Sequence, residues 1–77
     1  LNEGWYISGI DRIDNVQVRI FNRWGNLVYE NANYSNAKPW VGENDNGNEL
    51  ENGTYFYTID AGSNIEPIEG TVTIFRK

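Results

Sequence analysis

Glu43, Asp45, Glu49 and Glu51 are the residues whose type and spacing come nearest to doing chemistry, because the chain has no Cys and no His. That absence removes the thiol nucleophile, the imidazole base that activates a Ser, zinc sites built on thiolate or imidazole, and any disulfide. Carboxylates alone can run glycoside hydrolysis, one as acid and its partner as base or nucleophile. These four sit in a hydrophilic run of turn residues, where carboxylates are solvated and lack the burial that tunes an acid or a base. The composition therefore points away from an enzyme.

Calcium is the one metal that oxygen ligands could hold unaided, and Asn44-Asp45-Asn46-Gly47-Asn48-Glu49 supplies the atoms. The spacing does not follow a calcium-binding loop: counted from Asp45 as the first position, the twelfth is Phe56 rather than a bidentate Glu. A tight hydrated turn is the better reading, since Asn and Asp bond their own backbone and Gly tolerates positive φ. No cofactor is expected.

The remaining candidates are aromatic. Trp24, Trp40 and the Tyr-rich stretch from Thr54 to Asp60 offer flat faces on which sugar rings stack. Trp40 and Tyr55 are needed to fill a small core that has no Met. Trp24 is different because it lies in Asn22-Arg23-Trp24-Gly25-Asn26, the tip of a hairpin. It either folds back over a sheet or stands exposed for recognition, and fold-back is favoured because a large exposed aromatic is uncommon without a partner.

That hairpin, Val16 to Glu30, is the clearest structural signal in the chain. Val16, Val18 and Ile20 alternate with Gln17 and Arg19, turn residues interrupt, and Leu27-Val28-Tyr29 resumes the run. Thr54 to Asp60 reads as a second confident strand with Tyr55, Tyr57 and Ile59 inward. Ile68 to Phe75 reads as the last, with Ile68, Val72 and Ile74 on one face. Shorter pieces are expected at Trp5 to Ile10, at Pro39 to Gly42 with Trp40 inward, and at Glu49 to Glu51, with Tyr34 pinning the Asn-rich loop between. No stretch carries helical periodicity. Strands divided by turns at about 8–12-residue intervals predict an all-β fold. The expectation is a small immunoglobulin-like or fibronectin-III-like antiparallel β-sandwich of about six to seven short strands.

Seventy-seven residues make one domain, 1–77. A chain of this size buries only roughly 60% of its unfolded surface, so the three Trp, five Tyr and three Phe carry much of its stability. The net charge of −5 and pI near 4.4 argue against nucleic acid and anionic membranes as partners. No apolar run approaches the ~20 residues of a transmembrane helix. Leu1-Asn2-Glu3-Gly4 opens without Met, as expected of a piece of something longer.

Ile20-Phe21-Asn22-Arg23-Trp24-Gly25-Asn26-Leu27-Val28-Tyr29-Glu30 resembles the signature of the gliding-motility-associated C-terminal domain family, the type B sorting domains of the bacterial type IX secretion system. The likeness continues through Tyr34, Trp40 and Gly42, then Gly53-Thr54-Tyr55-Phe56-Tyr57, Gly70-Thr71-Val72 and the basic end. Two features depart from the family: the Phe-x-Pro-Asn-Gly-Asp-Gly opening is missing, as if the domain were truncated at its N-terminal edge, and Val41 stands where Asp or Asn is usual. The resemblance implies a non-catalytic C-terminal secretion and sorting signal on a large surface or secreted protein, such as a motility adhesin. Its partners would be the outer-membrane type IX secretion machinery and accessory proteins, and its destination the cell surface or the medium. Asn22, Arg23, Trp24 and Gly25, with Arg76 and Lys77, are the expected docking residues. The opposing view is that Arg23 and Trp24 stack only to hold the hairpin, and that Gly25 serves a positive φ. Two further readings are an extracellular carbohydrate-binding or adhesive module and a structural spacer.

Overall fold

Alternation of β-branched and polar residues sets the strands, and one buried face follows from it. The computed structural model describes residues 4–10, 13, 15–62 and 65–76. Within them, β1 (Gln17–Phe21), β2 (Leu27–Asn31), β3 (Gly53–Asp60) and β4 (Ile68–Ile74) form one antiparallel sheet in the order β2-β1-β3-β4. Val18 and Ile20 of β1, Tyr55 and Ile59 of β3 and Ile74 of β4 are buried on one face, as the alternation predicts. Ile68 shares that face by register with Ile59 but lies at the start of an edge strand and is 53% exposed.

Among the described residues, the expected second sheet does not form over this face. Among the described residues there are four strands in one sheet, and the opposing layer is made of chain segments joined by two isolated bridges, Trp5 with Trp40 and Glu43 with Glu49. Trp5 to Ile10 is therefore not a strand: Trp5 makes one bridge, its N–H donating to the Trp40 carbonyl at 2.7 Å, and the chain turns at Ser8-Gly9. Glu49 to Glu51 likewise contributes one bridged residue. Pro39 can donate no ladder hydrogen bond beside Trp40, and Asn-rich turns cut the segments short.

Side chains replace the missing ladder. The Tyr34 hydroxyl accepts the Trp40 N–H at 2.8 Å and donates to the Trp5 carbonyl, so Tyr34 does pin its loop. The Asn36 amide accepts the Ile7 N–H and donates to the Ile7 carbonyl, both at 2.8 Å. The Trp40 indole N–H donates to the Glu43 carbonyl at 2.6 Å. Trp40 is fully buried and meets Trp5, Tyr29 and Tyr55 at 5.9–6.5 Å between ring centroids, the range in which aromatic pairs add to area burial. Burial pushes the Tyr34 phenol up to about 12, which keeps it protonated and able to donate.

The Tyr57 ring lies over Gly70, its direct cross-strand partner; a Cβ there would stand 2.5 Å from the hydroxyl oxygen. No helix is long and apolar enough to cross a membrane among the described residues.

Candidate functional site

The β1–β2 tip is built by one asparagine. The Asn22 N–H donates to the Asn26 carbonyl and the Gly25 N–H to the Asn22 carbonyl, both at 2.9 Å. The Asn22 carboxamide oxygen accepts the N–H groups of Trp24 and Asn26, both at 3.0 Å. Gly25 has φ +84°, the left-handed conformation that a three-residue hairpin loop requires, with open space where a side chain would start. Gly25 is thus fixed by backbone conformation rather than by crowding.

The same turn occurs a second time. In Asn44-Asp45-Asn46-Gly47-Asn48, the Asn44 N–H donates to the Asn48 carbonyl at 2.8 Å and the Gly47 N–H to the Asn44 carbonyl at 2.9 Å. The Asn44 carboxamide oxygen accepts the Asn46 and Asn48 N–H groups at 2.9 and 3.0 Å, and Gly47 has φ +83°. The second turn presents Asp45-Asn46 where the first presents Arg23-Trp24. Neither Arg nor Trp is therefore needed to close this turn. The repeated Asn-x-x-Gly-Asn spacing at 22–26 and 44–48 is the sequence signal that reveals it, and it lies outside the motifs that periodicity picks out.

The two turns use their central residues in opposite ways. Asp45 docks on the outer edge of β2: its N–H donates to the Val28 carbonyl and its carboxylate accepts the Glu30 N–H, both at 3.1 Å. Arg23 and Trp24 face solvent. The guanidinium carbon of Arg23 lies 4.3 Å from the Trp24 ring centroid, and Trp24 is 71% exposed. Trp24 does not fold back over the sheet, contrary to expectation; it is a central residue of a turn projecting past the strands, and Arg23 covers one of its ring faces. Arg23 has no ion pair among the described residues, whereas Arg19 meets Glu30 at 2.6 Å and Arg76 meets Glu49 at 3.3 Å. Between the tip and the start of β3 lies a cleft of about 120 Å³, with Asn22, Arg23 and Trp24 on one wall and Glu51, Asn52 and Thr54 on the other.

Arg76 is occupied inside the fold. Its guanidinium donates to the carbonyls of Leu50 at 2.6 Å, Gly42 at 2.9 Å and Val41 at 3.2 Å. Its backbone is gripped by Asn52, whose carboxamide accepts the Arg76 N–H at 3.0 Å and donates to its carbonyl at 2.9 Å. Since Asn52 also lines the cleft, Arg76 stands one residue behind the tip site rather than within it. Lys77 lies outside the described residues. The acidic turn residues are dispersed: Glu43 accepts the Val41 N–H at 3.1 Å, Glu49 pairs with Arg76, and no three acids gather as a metal site would need among the described residues.

Over residues 1–74 the chain matches the CHU_C type IX secretion signal domain family. It belongs to that family. No curated protein and no solved structure matches it. Secretion signal domains are non-catalytic in general, and membership implies recognition by the type IX machinery and export to the cell surface or extracellular space. The residues that carry the resemblance divide by role in this secretion signal domain. Trp40, Gly42, Gly70 and Tyr57 build the fold, whereas the side chains of Arg23 and Trp24 contact each other and, among the described residues, make no side-chain hydrogen bond or ion pair.

Proposed function

We propose that this chain is the sorting signal of a surface or secreted parent protein, such as a motility adhesin, and that the outer-membrane secretion machinery reads it at Asn22, Arg23, Trp24 and Gly25. The observation that supports this reading most is the twin turn: Asp45-Asn46 closes the same hairpin end without an aromatic or a cation. An exposed Trp under a guanidinium at that position has recognition as its remaining use. Asn22 and Gly25 hold the pair in place, Arg76 braces the cleft from behind through Asn52, and Lys77 enters as a docking cation on the strength of the sequence alone. The domain performs no chemistry of its own in this reading. The second layer is read as the reduced partner sheet of an immunoglobulin-like sandwich.

A fluorescent reporter carrying an inner-membrane signal is fused to the domain and expressed in a host with the secretion system. Export of the fusion, with retention of the reporter that lacks the domain, is the expected result. Equal retention of both would refute the proposal. The exposure of Trp24 also favours a second reading, a sugar-binding surface, for which quenching of tryptophan fluorescence by oligosaccharides and its loss in Trp24→Ala is the test.

A further inference from the structure

Two Asn-Gly pairs occur in the chain, Asn46-Gly47 and Asn52-Gly53, and the fold treats them oppositely. Asparagine before glycine is the pair most open to self-modification, because glycine has no side chain to keep its nitrogen away from the carboxamide. Both asparagines are exposed, so burial does not tell them apart. Hydrogen bonding does. The Asn52 carboxamide is held at both ends by the Arg76 backbone, accepting at 3.0 Å and donating at 2.9 Å. Its glycine opens β3 and is paired with Ile74. The Asn46 carboxamide makes no hydrogen bond among the described residues; only its backbone N–H is engaged, with the Asn44 side chain. Nothing beyond the chain neighbours lies within 4 Å of where a Gly47 side chain would start, so the approach of the reacting atoms is unobstructed. One exposed bond, from the Gly47 N–H to the Asn44 carbonyl at 2.9 Å, must open first.

We propose that Asn46 is a self-modification site, at which the folded domain converts asparagine to aspartate and isoaspartate. The Gly47 nitrogen attacks the side-chain carbonyl carbon of Asn46. The carbon–nitrogen bond of the carboxamide breaks, and ammonia leaves with the proton that Gly47 gives up by way of water. Water then opens the five-membered succinimide at either of its carbonyls. No electron is transferred and no enzyme is needed. Opening at one carbonyl gives aspartate in an unchanged main chain. Opening at the other gives isoaspartate, which adds a methylene to the main chain ahead of Gly47. That insertion falls between the two N–H groups that Asn44 accepts, those of Asn46 and Asn48, so the turn cannot hold both. Asp45, which docks on Val28 and Glu30, is released from the β2 edge with it. The twin turn is exempt, since Trp24 stands before Gly25. This inference does not depend on the export reading.

The test is incubation of the 77-residue chain at mildly alkaline pH, folded and in guanidinium chloride, followed by mass mapping. A glutamate-specific protease cuts after Glu49 and Glu51 and so separates the two pairs, and fragment masses assign the residue. In the folded chain, conversion at Asn46 is expected to outpace that at Asn52 by about tenfold, the protection expected of two hydrogen bonds. In guanidinium chloride the two rates are expected to converge. Asn46→Gln lengthens a side chain that holds no bond of the turn, and it is expected to keep the fold and end the conversion. In the isoaspartyl fraction, amide exchange at Asn48 and Glu30 is expected to rise. A folded-state rate at Asn46 no greater than at Asn52 overturns the proposal, as does a ratio that unfolding leaves unchanged. Unaltered exchange at Asn48 and Glu30 overturns the release of the edge.

Discussion

The Arg76 guanidinium packs over Gly42 so closely that a side chain on Gly42 would collide with it. The contact ties the end of the chain to the loop that follows Trp40, and both partners are required for it. Gly42 also holds φ +88°, where any other residue is strained. The spacing of Trp40 and Gly42 thus has two physical causes: Trp40 fills the core, and Gly42 leaves room for the arginine that closes it.

Gly42→Ala is expected to destabilise the domain by about 1–3 kcal/mol, combining left-handed strain with displacement of Arg76. Arg76→Lys keeps the charge but cannot span the Leu50, Gly42 and Val41 carbonyls, and a loss in the same range is expected. Urea unfolding measures both. Unchanged midpoints would show that the brace contributes nothing.

Asn22→Ala and Asn44→Ala each remove two solvent-exposed turn hydrogen bonds and leave the N–H groups to water, so each is expected to cost about 1–2 kcal/mol. Asn→Asp at either position keeps the acceptor and is expected to cost less than Ala. Parallel denaturation curves of the four variants test whether the two turns are equivalent.

Alkaline pH is expected to weaken the fold through its tyrosines. Burial raises the Tyr34 phenol to about 12 and moves Tyr29 and Tyr55 in the same direction from the ordinary 10. Between those values the unfolded chain releases a proton that the folded chain retains, which favours unfolding. This stabilisation is complete below about pH 10 and is lost as pH rises through about 12. The thermal midpoint should be flat as pH approaches 10 from below and then fall, with a shallower fall in Tyr34→Phe. That variant also starts from a lower midpoint, because it loses the hydrogen bonds to Trp5 and Trp40.

The strands were legible because alternation is a local property. Val18 and Ile20, then Tyr55 and Ile59, declare a buried face within a few residues. The second layer was not legible, because what holds it is tertiary: Tyr34 reaches Trp5 and Trp40, Asn36 reaches Ile7, and Arg76 reaches Leu50. Such contacts leave no period, so a loop-built layer reads in sequence like a set of short strands. Trp24 misled for a related reason. Its size favours burial, but the turn made by Asn22 leaves it 71% exposed. The candidate site was readable as a resemblance around Asn22 to Gly25, while the duty of Arg76 inside the fold could be seen only in three dimensions.

The two turns also supply the sharpest control on the account. Replacing Arg23-Trp24 with the residues of the twin turn, R23D and W24N together, leaves every hydrogen bond of the tip available and removes only the presented side chains. The double variant is expected to unfold within about 0.5 kcal/mol of the unaltered domain, as surface changes away from caps and cores do. Secretion of the fused reporter is the measurement that decides. Loss of export with unchanged stability is the predicted result, and export at the unaltered level would contradict recognition at the tip.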